Sequence, residues 1–395
     1  MQIGCAQTTI TPSLDRPIYL AGFGPNRRAE TIHDELTARA QALRDNASRT
    51  LILCALDLIG FFRCDAYEVI ERVHEKAPGV DILIASLHPH HGPDTMGLWG
   101  PDDKTSGVDS VYLAGLKDKI VAVILASLEN MQPVGGMKVA SMHFPGLAKN
   151  ARNPDIVDDE LVLLQILDTN HCSLITVFNF PCHPEVLWEH NPHITADYVG
   201  YLRTEVERLT GAPCIFFSAD LGGMMTPDVK DHSFEEAEFM GKALAKAGVD
   251  TLAKTPILYD FSLSLQKKDV RVKLTNILFK FAIRRGLIPD IRDKKGFIHS
   301  EVNLLKIGPL WFATIPGELL PKLGMALKAD MYAAGAGSAG VIGLANDELG
   351  YILPKEEFRY PLNPLKPGKH YEETMSVSKE IGPTIMQVFR ELLHT

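Results

Sequence analysis

Short, almost purely apolar runs recur along the chain, each bounded by turn-forming residues. Thr50–Leu58, Ile82–Ala85, Leu161–Leu167, Leu174–Phe180, Pro213–Ser218, Leu310–Ile315 and Val341–Leu344 are of this kind. Runs this short and this apolar predict strands buried on both faces. Between them lie segments with helical periodicity and a charged face: Cys64–Lys76, Ser110–Met131, Thr195–Leu209, Phe234–Ala253, Leu319–Asp330 and Thr374–Leu393. Ile3–Ala6, Leu36–Leu43 and Lys138–Phe144 read as further strands. Residues 257–308 differ in texture: Leu258–Leu274 alternates, Asn276–Leu287 is a basic apolar helix, and Asp290–Gly296 is a charged turn. No flexible linker flanks this stretch, so it reads as a sub-lobe or lid-like insertion within one domain spanning 1–395. Alternating strands and helices predict an α/β fold of mixed layers: central, mostly buried sheets flanked by helices, with sites where strand ends and loops converge.

The strand ends are where the polar chemistry collects. Ile82–Ala85 runs into His88-Pro89-His90-His91-Gly92-Pro93. Proline disfavours the right-handed helical region for the residue before it, which predicts an extended His88. His88 and His90, two apart on an extended chain, would then face one point, a good start to a metal site. Leu174–Phe180 ends in Pro181-Cys182-His183-Pro184, Leu310–Ile315 in Pro316-Gly317-Glu318, and Val341–Leu344 leads to NDELGYILPKEEF. His88 or His90, His183, Glu318 and Tyr351 are therefore the candidate ligands, with spacing too wide to prove that they meet. Asp57, at the end of its strand, reads as a turn cap. His143 and His299 read as core histidines, His190 and His193 as rim or structural residues, and His33 as an open case. Gly335-Ala-Gly337-Ser-Ala-Gly340 matches G-x-G-x-x-G, but a helix precedes it and a strand follows, the reverse of the dinucleotide fingerprint. No H-E-x-x-H, P-loop or G-x-S-x-G occurs.

Composition narrows the partners. The chain has 395 residues, 46% hydrophobic and 23% charged, with net charge −9 and no long basic run. A nucleic-acid partner needs a cationic face and is not expected. The first residues lack a basic segment followed by an apolar one, and no apolar run approaches a membrane span, so a cytoplasmic chain with no stable membrane anchor is expected. The six cysteines are scattered without C-x-x-C, and Cys5, Cys54 and Cys214 lie in apolar strand-like runs, which fits buried reduced thiols. Monomer or homo-oligomer is left open.

Five blocks in order resemble the catalytic domain of the neutral/alkaline ceramidases, zinc amidases that release a fatty acyl group from an amide nitrogen. They are the opening ITPSLDRPIYLAGFGPNRR with IHDELTARAQAL, then SLHPHHGP, NARNPD with VDDELVLLQ, FNFPCHP, and TIPGE with NDELGYILPKEEF and YEET. The resemblance covers nearly the whole chain. It implies one Zn²⁺ per chain, held by His88, His183, Glu318 and Tyr351, with Glu348 the competing alignment for the tyrosine. It also implies that His90 lies beside the metal and that Arg152 holds a substrate oxygen.

The departures change the expectation. Thr226, in LGGMMTPD, stands where the family has its serine nucleophile. A threonine can attack, but its β-branch restricts the approach. The alternative is direct attack by a water made acidic by zinc, with backbone N–H groups at Gly222 and Gly223 lining an oxyanion pocket. No counterpart of the family's C-terminal immunoglobulin-like domain is expected after YEET. The expected function is zinc-dependent hydrolysis of an amide in a small soluble substrate other than ceramide. Esterase or lactonase chemistry by the same mechanism, a metal-dependent phosphoesterase using Asp57, Asp197 and Asp220, and an inactive ligand-binding homologue are the competing readings.

Overall fold

The computed structural model describes residues 1–358 and 371–394. Its apolar runs form strands that gather, in chain order, into three sheets. The first holds β1 (Gln2–Thr9), β2 (Thr37–Arg44), β3 (Thr50–Leu56) and, after helix α1 (Arg63–His74), β4 (Asp81–Ser86). Helix α2 (Ser110–Glu129) then leads to the second sheet: β5 (Gly136–His143), β6 (Glu160–Leu167), β7 (Ser173–Phe180), helix α3 (Tyr198–Thr210) and β8 (Cys214–Ser218). Helix α4 (Phe234–Lys254) follows. The third holds β9 (Leu263–Lys273), helix α5 (Ile277–Arg285), β10 (Phe297–Ile307), β11 (Leu310–Thr314), helix α6 (Pro321–Ala333) and β12 (Ser338–Ile342), and helix α7 (Ile381–Leu393) closes the described chain.

Each sheet follows one plan. Four strands in each make two antiparallel pairings followed by one parallel pairing, β3 with β4, β7 with β8 and β11 with β12, and in the first sheet Gln132–Pro133 adds a short antiparallel edge to β1. Parallel neighbours require a crossover, supplied by α1, α3 and α6. The repetition is one of topology; the sequence has no fixed period to betray it. The parallel edges of the three sheets meet. Asn346 N–H donates to Ile84 O (2.7 Å), Ser86 N–H to Leu344 O (3.1 Å), and Gly343 N–H to Ser218 O (2.9 Å). The carboxyl ends of β4, β7, β8, β11 and β12 are thereby brought to one centre, as open α/β sheets bring theirs to a binding crevice.

Details differ from the expectation. The helix predicted from Thr195 starts at Tyr198, and Asp197 caps it, accepting from Tyr198 N–H (2.7 Å). The predicted helix Thr374–Leu393 begins only at Ile381, as α7; Thr374 instead ends a separate short helix, Tyr371–Thr374, and the carbonyls of Thr374 and Ser376 accept from Asn276 Nδ2 (2.8 and 2.7 Å). Within 257–308, β9 and β10 pair along their full lengths, from Leu263 opposite Ile307 to Lys273 opposite Phe297. Only 274–296, carrying α5, leaves the sheet. The stretch at Gly335–Gly340 is the helix-to-strand turn its order predicts, with Gly335 at φ +106° between α6 and β12. All six cysteines are free, and Cys54, Cys182 and Cys214 are buried. Among the described residues no helix is long and apolar enough to cross a membrane.

Candidate metal centre

His88 lies two residues past β4, His183 three past β7, and Glu318 four past β11. His88 is not extended as its proline suggested; its φ is +69°. Few non-glycine residues take that conformation, and it is held here by neighbours. Its N–H donates to Leu58 O (2.9 Å), and its ring Nδ1 hydrogen-bonds Ile59 O. The alternation argument thus fails for the backbone, yet the rings converge. Centroids are 5.1 Å apart for His88 and His90, 5.2 Å for His88 and His183, and 5.4 Å for His90 and His183. One ligand atom from each of the three buried histidines lies within 4.8 Å of the other two, so they can hold a metal ion between them.

The tautomers point the same way. His183 Nδ1 donates to Met225 O (2.9 Å), as His88 Nδ1 does to Ile59 O. Each ring then presents a bare Nε2. Both face one carboxylate oxygen, Glu318 Oε2, at 3.1 Å from His183 and 3.6 Å from His88. Ligands of a tetrahedral zinc lie about 3.4 Å apart, given metal–donor bonds near 2.1 Å. Lone pairs on two nitrogens and a carboxylate oxygen repel unless a cation stands among them, so the donor set fits a divalent metal. Burial, reinforced by the other two histidines, lowers the His88 pKa to about 3, which keeps the imidazole neutral as a ligand must be. Burial also works against a charge on His183, but Glu185 and Glu318 outweigh it and raise its pKa. Glu318, despite burial, is held below the usual carboxylate range by His88 and His183.

Tyr351 joins through backbone pairing. Glu318–Leu319 and Tyr351–Ile352 form a two-stranded parallel ribbon with Glu318 opposite Tyr351, and the tyrosine hydroxyl, near the Glu318 carboxylate, donates to Met224 Sδ (3.3 Å). Glu348 also reaches this region. Its Oε1 accepts from Gly350 N–H (2.8 Å), while Oε2 is buried with no hydrogen-bond partner.

His90 is placed differently. Its Nδ1 lies 2.8 Å from Oε2 of fully buried Glu185. The Thr226 side chain lies beside Glu185, and although burial opposes it, His90 and His183 bring the Glu185 pKa down to about 2. The sequence reading missed Glu185; a carboxylate two residues past a ligand-candidate histidine was the available signal. It also passed over His91, whose Nε2 donates to Trp188 O (2.9 Å) and whose Nδ1 is 3.7 Å from Asp197 Oδ2.

A cavity of about 340 Å³ opens from the histidines. His88, His90, Glu318, Glu348 and Tyr351 form its polar end; its walls include Phe62, Met96, Trp99, Met224, Phe279 and Ile288. Arg152 does not appear among the described lining residues. Its guanidinium is engaged by Glu372 (2.8 Å), by both oxygens of Glu373 (3.0 and 3.1 Å) and by Glu357 O (3.2 Å). Thr226 is buried against Glu185, and in its loop it is Met224 that reaches the cavity. Gly222 N–H is taken by Leu319 O (2.9 Å), while Gly223, at φ +69°, accepts from Arg152 N–H through its carbonyl (3.3 Å).

The remaining candidates lie elsewhere. Asp57 is structural, gripped by Arg203 (2.7 and 2.8 Å) and by Thr37 N–H (2.7 Å). His143 and His299 are not core residues but exposed partners of Asp159 (2.7 Å) and Asp293 (3.0 Å). Both sit on strand faces turned to solvent, which periodicity in a short run does not reveal. His33 stacks on Phe234 at 3.8 Å beside a separate cavity. His193 Nδ1 hydrogen-bonds the Thr31 hydroxyl (2.6 Å), and His190 is exposed.

No protein-family model matches the sequence, and no curated protein does either. Solved structures do match. The crystal structure of neutral ceramidase from Pseudomonas aeruginosa superposes with a TM-score of 0.80 at 19% identity, covering 99% of this chain and 74% of that one. A ceramidase complexed with C2 gives 0.80 at 18% identity, with the same coverage. The chain therefore has the neutral ceramidase fold, a mixed α/β architecture of sheets flanked by helices.

Proposed function

We propose that this protein is a zinc-dependent hydrolase of an amide bond, acting on a small N-acyl substrate other than ceramide. The observation that carries the reading is the convergence of His88, His183 and Glu318 at the polar end of an apolar cavity, within the neutral ceramidase fold. Those three side chains and the Tyr351 hydroxyl would hold one zinc ion. A divalent ion bound there supplies Lewis acidity, drawing electron density from a carbonyl oxygen and making water acidic near neutral pH. The cavity, at the small end of the roughly 300–1,000 Å³ usual for ligand sites, takes the acyl chain against Phe62, Trp99 and Phe279.

His90 lines the cavity and is oriented by Glu185, the arrangement of a base that takes a proton from the attacking group and returns it to the leaving nitrogen. Water is the attacking group in this reading, because Thr226 is buried against Glu185 and is absent from the described cavity wall. Arg152 acts by securing the segment that bears Tyr371, which lines the cavity, and does not hold substrate.

The test is hydrolysis of a chromogenic panel of N-acyl amides, esters and lactones, with and without chelator. Amide cleavage abolished by chelation and restored by one zinc per chain is expected. Two metals per chain would favour the phosphoesterase, and cleavage of esters or lactones alone would shift the substrate class. His183→Ala should lose tightly bound zinc; full occupancy in that variant would defeat the assignment. Thr226→Val should keep kcat within about tenfold, whereas a loss of 10³ or more would make Thr226 the nucleophile.

A further inference from the structure

Helix α5 has two faces. Phe279 and Ala282 are buried, and Phe279 forms part of the cavity wall. Ile277, Leu278, Phe281, Arg284 and Arg285 share the opposite side, by i, i+3 and i+4 spacing. Three of them are large exposed hydrophobics: Ile277 at 63%, Leu278 at 48% and Phe281 at 45%. Scattered exposed apolar residues are ordinary, but three on one helical face beside a cavity are not.

The charge around them runs against the rest of the molecule. The chain is acidic by nine charges, yet 277–295 carries Lys280, Arg284, Arg285, Arg292, Lys294 and Lys295 against only Asp290 and Asp293. Both acids are neutralised locally, Asp290 by Arg292 (2.8 Å) and Asp293 by Arg271 (3.6 Å). Lys280, Arg284, Arg285, Lys294 and Lys295 form no ion pair with any described residue. The Arg285 guanidinium lies over the Phe281 ring, 4.9 Å from its centroid, so cation and aromatic present one surface.

We propose that this face of α5 is a docking surface for an anionic membrane. Exposed Phe, Leu and Ile enter the boundary between headgroups and acyl chains, while the lysines and arginines meet lipid phosphates. The docking is reversible, since one short helix is no permanent anchor. It deepens the acyl-amide reading, on which it rests for its purpose: the same helix walls the cavity, so docking sets the site about one helix diameter, ~10 Å, from the lipid. The substrate class becomes N-acyl amides that partition into membranes.

The experiment uses the full chain and vesicles of phosphatidylcholine alone or with phosphatidylserine. Sedimentation with the anionic vesicles, weakened by salt, is expected, and little with the zwitterionic ones. Ile277→Ser/Leu278→Ser/Phe281→Ser and, separately, Arg284→Glu/Arg285→Glu should each reduce vesicle binding at least about tenfold. Both should keep the wild-type circular dichroism spectrum and the wild-type rate on a water-soluble N-acyl substrate. Absence of vesicle binding by the wild type, or equal binding by both variants, overturns the proposal. So does a wild-type dimer that the serine variant converts to monomer without effect on vesicles, because the face would then belong to a second copy. Vesicle binding is read without turnover: binding with no hydrolysis would retain the docking surface and discard the amidase, and hydrolysis with no binding would do the reverse.

Discussion

Glu348 has one oxygen on the Gly350 amide and the other, buried, with no hydrogen-bond partner. Burial, and then the nearby Glu318 carboxylate, raises its pKa well above the usual 4.5. The sign follows. A carboxyl whose folded pKa is raised favours the folded state fully below its unfolded value, and that contribution is lost as pH rises toward the folded pKa. Glu348→Gln keeps the acceptor for Gly350 and cannot ionise. In metal-free protein its melting temperature should match the wild type near pH 4 and exceed it increasingly up to pH 8. A variant less stable than wild type at pH 8 would show that Glu348 is ionised. His90 and His183 illustrate what residue identity alone conveys. Both were visible in the sequence as histidines beside prolines at strand ends, but their partners were not. Glu185 is two positions from His183, yet only folding brings it to His90.

At the scale of elements, the crossover helices are pinned to the sheets by buried polar contacts. Arg203 on α3 makes a two-pronged contact with Asp57 at the end of β3, and both side chains are almost fully buried. Breaking such a pair strands a charge in the interior. Arg203→Met should cost about 3–5 kcal/mol, read as a lower urea midpoint. Asp57→Leu/Arg203→Met, with both charges gone, should recover a good part of it. Strands were legible because fully buried runs are both apolar and short. Their surface faces were less so, which is why His143 and His299 were assigned to a core that they border from outside. The basic character of Asn276–Leu287 was also plain in the sequence, but which of its faces met solvent was decided by how 274–296 folds over the cavity.

For the whole molecule, three sheets of one plan turn their parallel edges to a common centre, and the candidate ligands come from all three. A metal bound there would tie the sheets together and favour the folded chain by mass action. Zinc at about a hundredfold over its Kd should add ~2.7 kcal/mol, a rise of a few degrees in melting temperature. Chelator should reverse it, and His183→Ala should show no rise. A wild-type melting temperature indifferent to zinc would argue against the centre as a metal site.

The alternation of buried strands with amphipathic helices, the histidines at strand ends and the order of the blocks are properties of the linear chain. They depend on side-chain chemistry and short-range spacing, so they determined the fold class and the candidate residues without coordinates. The distances among His88, His183 and Glu318, the left-handed backbone at His88, the pairing of Tyr351 with Glu318 and the commitment of Arg152 to two glutamates were decided by tertiary structure alone. Each joins residues from about thirty to more than two hundred positions apart, or a backbone held by such contacts. No local pattern encodes that geometry, because it arises only when distant strands share one interior.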